Sequence, residues 1–119
     1  MHPTLETLLE IQDLKSQRKE LEAASGERQV EEDVFQMSIG EALAKLDEKI
    51  GELENSLPPQ VRSRYRRLEK RTPRIVAPVI GGICYGCFVA IPTAVASDAE
   101  RNDEIRTCDN CGRFLYLFD

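Results

Sequence analysis

The spacing of four cysteines constrains this chain more than any other feature. Cys84, Cys87, Cys108 and Cys111 form the pattern C-x2-C-x20-C-x2-C. Two residues between thiolates let a tight turn aim both sulfurs at one ion, and this spacing reads as a zinc site. Gly86 and Asn110 hold the same third place in each turn, where a positive φ is expected. Gly112 extends that freedom past the last cysteine. Backbone N–H groups in such turns can also hydrogen-bond the sulfurs. Four thiolates close the tetrahedron and leave no position for water or substrate. The reading is therefore one structural Zn2+. Iron is the alternative ion that an S4 site accepts. A redox use of C-x-x-C would want a βαβ context, which is missing. Nothing around the cysteines is secretory, so metal binding in a reducing, cytoplasmic setting is expected over disulfides.

The cysteines sit in a β-rich stretch. Ile75–Ile80 reads as a strand followed by a Gly81-Gly82 turn. Phe88–Ile91, Ile105–Thr107 and Arg113–Phe118 read as further strands. Residues 75–119 are too few for an independent apolar core, so metal binding is expected to supply the missing folding energy. Tyr85, Phe88, Phe114, Tyr116 and Phe118 all fall here. Aromatics in a ribbon can stack on bases, but filling its thin core is the commoner use.

The front half reads differently. From Thr4 to Leu57 there is no Pro, and good helix formers dominate. Leu5, Leu8, Leu9, Ile11, Leu14 and Leu21 give a first apolar stripe. Ile39, Leu43, Leu46, Ile50, Leu53 and Leu57 give a second, at heptad spacing, which Val30, Val34 and Met37 extend less regularly. Together they predict an antiparallel coiled-coil hairpin over residues 1–57, with its turn near Ser25 to Glu27. The first helix is expected to be about 20 residues and the second about 30. Part of the longer seam would then be left for a protein partner, and a homodimer is open. Leu57-Pro58-Pro59 ends the second helix.

A short third helix is expected from about Pro59 to Arg71, with Val61, Tyr65 and Leu68 on its buried face. This segment, 58–74, holds one acid, Glu69, and seven bases: Arg62, Arg64, Arg66, Arg67, Lys70, Arg71 and Arg74. Residues 1–57 carry fourteen acids and six bases, so a strongly basic patch adjoins an acidic hairpin. Arg62, Arg66 and Lys70 recur at i, i+4, i+8 on one face, and Arg67, Arg71 and Arg74 lie on an adjacent one. These seven are the candidate nucleic-acid contacts, with RNA favoured because arginine offers a planar fork for phosphate and base. The bland alternative is a solvated face, or pairing with the hairpin's own acids. A net charge of −5 argues against a protein that coats nucleic acid with its whole surface.

Composition excludes much else. With 6% aromatics and no Trp, a deep apolar catalytic pocket is not expected. The single histidine, His2, is expected to fray at the start, which removes Cys–His and Ser–His chemistry. No apolar run approaches the about 18 residues that span a bilayer. The chain is thus expected to be non-enzymatic and not membrane-bound.

The runs GGICYGCFVAIP and DEIRTCDNCGRFLY, with the leucine-patterned hairpin, the LPP break and the VRSRYRRLEKR helix, resemble a known bacterial family. It is the C4-type zinc-ribbon family with an N-terminal coiled-coil hairpin, here with the hairpin shortened. The resemblance implies an α+β architecture: helical hairpin at 1–57, short basic helix or linker at 58–74, and C4 zinc ribbon at 75–119. It implies zinc on Cys84, Cys87, Cys108 and Cys111, no catalytic residues, and a nucleic-acid-binding or regulatory role. The expected function is an adaptor that binds RNA or DNA through the basic helix and ribbon. A protein of the transcription machinery would bind through the hairpin. One alternative is an RNA polymerase secondary-channel factor of the DnaK-suppressor/TraR type, using Glu27, Glu31, Glu32 and Asp33 near the turn. The other is a structural subunit of a larger assembly.

Overall fold

The computed structural model describes residues 1–27, 33–96 and 102–118. The order is α1 (Pro3–Glu27), α2 (Asp33–Ser56), α3 (Pro59–Glu69), β1 (Val76–Ile80), β2 (Ile83–Cys84), α4 (Thr93–Ala96) and β3 (Phe114–Leu117). The class is α+β, with the helices first and a small sheet behind them.

The two long helices are nearly equal, 25 and 24 residues, and not the unequal pair that the Ala24-Ser25-Gly26 break suggested. Ser25 to Glu27 form the last turn of α1, so they are not the break that their composition suggests. The expected extension of the seam through Val30 lies outside the described residues, as do the acids Glu31 and Glu32. Leu5, Leu8 and Ile11 of α1 and Ile39 and Ile50 of α2 are buried, while Leu43, Leu46 and Leu53 are half-buried. Arg18 pairs with Asp47 at 2.5 Å across the two helices.

His2 does not fray. Its backbone carbonyl accepts from Leu5 and Glu6 N–H, and its Nδ1 accepts from Thr4 N–H at 3.0 Å, which caps α1. His2 N–H in turn donates to Asn102 O at 2.6 Å. The Asn102 side chain donates to Leu117 O at 2.9 Å and accepts from Leu117 N–H at 2.7 Å. Asn102 therefore ties the end of β3, through its side-chain amide, to the start of the chain, through its backbone carbonyl, from a hundred positions away where no local pattern marks it.

The sheet runs β2-β1-β3, with β1 antiparallel to β2 and parallel to β3. Pro78 is tolerated in its central strand. Its carbonyl accepts from Tyr85 N–H, so its missing donor faces the same side, past the end of β2 at Cys84. Alternation splits the strands between two cores. Val76, Phe114 and Tyr116 face the helices and join Leu5, Leu8, Ile11, Leu57, Tyr65 and Leu68. Ala77, Val79, Leu115 and Leu117 face the other way and pack with Ile91, Cys84 and Cys108. The sheet is thus a middle layer between the base of the hairpin and the cysteine loops.

Two sequence-predicted strands are absent as such. Phe88–Ile91 makes a single bridge, Ala90 to Ile83, because the chain turns sharply at Phe88. Ile105–Thr107 likewise contributes one bridge, Thr107 to Phe114. The helical turn α4 had no sequence signal.

Candidate metal centre and its basic surround

β2 delivers Cys84 directly, and the loop before β3 delivers Cys108 and Cys111. The four sulfurs all lie within 4.8 Å of one another. Cys84 and Cys111 Sγ are 3.9 Å apart, and Cys87 and Cys108 Sγ are 3.7 Å apart. A regular tetrahedron with Zn–S bonds of about 2.3 Å places its sulfurs about 3.8 Å apart. The donor set therefore fits one tetrahedral Zn2+ with all four positions taken. Burial pushes the Cys84 thiol up to about 12, so a thiolate there needs a cation beside it. A hydrogen bond from the Asn110 side chain draws Cys87 down to about 6. Backbone N–H groups of Gly86 and Cys87 point at the Cys84 sulfur, and that of Val89 at Cys87.

The two cysteine turns are built alike. Phe88 N–H donates to Cys84 O at 2.6 Å, and Gly112 N–H to Cys108 O at 2.8 Å. Cys84 N–H donates to Val89 O at 3.0 Å, and Cys108 N–H to Arg113 O at 2.9 Å. In both turns the residue after the second cysteine is left-handed: Phe88 at φ 62° and Gly112 at φ 79°. The expectation that Gly86 and Asn110 would hold the positive φ is overturned. Gly86 is needed for room instead. A Cβ there would stand 2.6 Å from Arg113 Cδ and 3.1 Å from the buried Ala77 Cβ. Asn110 serves through its side chain, on the sulfur of the opposite turn.

Residues 83–115 match the family model of the C4-type zinc ribbon domain. The chain carries a C4 zinc ribbon. All four cysteines fall inside the match, as do both turns. Among curated proteins none matches the chain. Two solved structures are similar over 95% of this chain and 73% of theirs. One is CT398 from Chlamydia trachomatis, 16% identical with a TM-score of 0.47. The other is the HP0958 protein from Helicobacter pylori, 13% identical with a TM-score of 0.45.

The seven candidate cations beside the ribbon divide into three groups. Arg62 faces the hairpin: its Nη2 donates to Asn55 O and Leu57 O, both at 2.8 Å, and its Nε to Glu54 O. It caps the orphan carbonyls at the end of α2. Arg66 pairs with Glu69 at 2.9 Å and Glu54 at 3.4 Å. Lys15 of α1 joins the same two acids, at 2.6 Å to Glu69 and 3.4 Å to Glu54. At the centre stands Tyr65, fully buried, whose hydroxyl donates to Glu54 Oε2. Burial and then the bond to Glu54 push this phenol up, so it remains a donor. Burial resists ionisation of Glu69, but the hydrogen bonds from Lys15 and Arg66 outweigh it and hold its carboxyl below the usual range. This cluster rivets three helices together.

Arg64 and Arg71 turn the other way, onto the second cysteine turn. Arg71 Nη2 donates to Cys111 O at 3.2 Å, and Arg64 Nη1 to Gly112 O at 3.4 Å. Arg67, Lys70 and Arg74 are exposed. So Arg62, Arg66 and Lys70 are not one free face, because tertiary packing takes the first two. Arg113, which the sequence reading passed over, joins the ribbon-side group. Its Nε donates to Arg74 O at 2.9 Å and its Nη2 to Thr72 Oγ1 at 3.2 Å. A basic residue directly after the last cysteine turn was the available signal.

No helix among the described residues is long and apolar enough to cross a membrane.

Proposed function

We propose that this protein is a non-enzymatic, cytoplasmic adaptor or regulator. It binds single-stranded nucleic acid, RNA favoured, along the basic flank of its zinc ribbon, and takes a protein of the transcription machinery on the hairpin. The observation that carries the reading is the gathering of arginines onto the ribbon. Arg64 and Arg71 reach the second cysteine turn, Arg113 runs under the first, and the exposed Arg67, Lys70 and Arg74 stand beside them. A zinc–tetrathiolate centre carries a formal −2, and the arginines at its edge offset that charge. The surplus faces solvent, where phosphates can reach it. The absence of catalysis is supported by a four-sulfur site with no free position and a sole histidine used as a cap.

The test is binding of single-stranded RNA, single-stranded DNA and duplex DNA across a salt series. Contact with about three to five phosphates gives log K against log salt a slope of about −2 to −3.5 for a single strand. Changing Arg67, Lys70 and Arg74 together to Ala removes only exposed cations and should flatten that slope without loss of zinc. Absence of binding at low salt, or an unchanged slope in the triple variant, would sink the proposal.

A further inference from the structure

The first cysteine turn carries a feature that folding does not explain. Its left-handed position is filled by Phe88, where the twin position in the second turn is Gly112. Glycine adopts that φ without penalty, whereas a side chain with a Cβ is strained there. A strained aromatic is usually repaid by burial, yet Phe88 is 69% exposed. Its ring lies 5.4 Å from that of Tyr85, which is itself 40% exposed, and Val89 beside them is also exposed. The two rings are tilted by 57°, so they do not close on each other face to face. The Arg113 side chain packs against Gly86, the residue next to Tyr85, and bonds Arg74 O and Thr72 Oγ1.

We infer that Tyr85 and Phe88 form a stacking platform for an unpaired base of the nucleic acid whose phosphates lie on the arginines. The inference rests on the proposed nucleic-acid function and adds to it where the bases go. An unpaired base fits this surface better than an apolar peptide for two reasons. The turn that carries the rings packs on Arg113 through Gly86, which suits a chain that alternates flat apolar rings with negative charge. Aromatic rings beside guanidinium groups also offer stacking surfaces on which any base can settle, with little sequence preference. Left-handed geometry holds Phe88 out from the turn, where a right-handed residue would point elsewhere.

The experiment compares a short single-stranded RNA with an abasic oligonucleotide of equal phosphate number, using full-length, zinc-loaded protein. Wild type should bind the RNA roughly tenfold or more tightly than the abasic strand. Phe88→Gly should erase that preference while keeping the abasic affinity, the salt slope and the zinc content. Phe88→Trp should restore it, and Phe88→Leu, which keeps bulk and backbone geometry but has no ring, should not. If Phe88→Gly and Phe88→Leu both bind RNA as wild type does, with the salt slope intact, the platform is wrong and the phosphate-binding reading stands. If wild type binds neither strand at low salt, both readings fall. If Phe88 proves necessary only for a protein partner, the rings are a protein-docking knob and the inference is overturned.

Discussion

The two cysteine turns of the ribbon share one backbone and serve different neighbours. Each ends in the same left-handed step, closed by the same pair of backbone hydrogen bonds. The second turn faces α3, and Arg64 and Arg71 reach its carbonyls. The first turn holds its aromatic rings in solvent, beyond Arg113. Backbone hydrogen bonds thus give both turns one shape, while what lies beyond each turn differs. The second turn uses glycine under a canopy of arginines. The first places an exposed aromatic at a strained φ.

The largest effect should come from removing what the turns have in common. Chelation of the metal, or Cys87→Ser and Cys111→Ser in turn, should release residues 83–115 from order, because the strands alone bury too little. Structural zinc sites in small domains supply about 10 kcal/mol or more of folding free energy. Hydrogen exchange should show lost protection in the ribbon and weakened protection at Leu5, Leu8 and Ile11, which share a core with Phe114 and Val76. Metal analysis should give about one zinc per chain in the wild type. If one of the two substitutions leaves zinc and ribbon intact, the turns are not equivalent ligands and the comparison breaks.

Gly86 and Asn110 are twins by position but not by role, and substitution should separate them. Gly86→Ala places a Cβ against Arg113 Cδ and against Ala77 Cβ. The arginine can swing away by giving up its bonds to Arg74 and Thr72, but Ala77 is wholly buried and belongs to the central strand. The expected cost is about 1–3 kcal/mol, the range for overpacking. Asn110→Ala meets no such barrier. It removes a hydrogen bond to the Cys87 sulfur and should cost about 1 kcal/mol. Denaturant midpoints of the two variants give the order directly.

How much of this was open to the sequence depends on the range of the interaction. Cysteine spacing is local, and it announced the metal site. The heptad spacing of Ile39 to Leu57 and the Pro58-Pro59 break announced two long helices and a short one. Nothing local separates Arg62, which caps α2, from Arg67, which is exposed, because helical position alone does not say which neighbour folds against it. His2 caps α1 through local bonds, but its tie to Asn102 is long-range. Residue preference points the positive φ to Gly86 and Asn110, whereas the hydrogen-bond pattern of the turn puts it one residue past the second cysteine. Phe88 therefore reads as the start of a strand by composition alone.

The second turn tests what glycine supplies. In Gly112→Ala the added Cβ would stand 3.6 Å from the nearest guanidinium nitrogens of Arg64 and Arg71, an ordinary contact. Any cost is therefore conformational, about 1–2 kcal/mol for holding an L-residue left-handed. A loss of stability in that range, with zinc retained, would separate backbone strain from crowding. A neutral result would mean that the turn relaxes to another φ.

The smallest effect on stability should come from the reciprocal change, Phe88→Gly, and its size is the sharpest check on the comparison. Two terms oppose each other. Glycine relieves the left-handed strain, which favours the folded state by about 1 kcal/mol. Glycine also loosens the unfolded chain, which disfavours folding by about 0.4–1 kcal/mol. The exposed ring adds little to either side, since it is 69% accessible in the fold. The net change should lie within about 0.5 kcal/mol of zero, in either direction. A zinc competition assay should find metal affinity unchanged, because the hydrogen bonds that shape the turn come from the backbone. A loss well above 1 kcal/mol would mean that Phe88 packs on something that stabilises the ribbon. The two turns would then differ in how they fold and not in what they present.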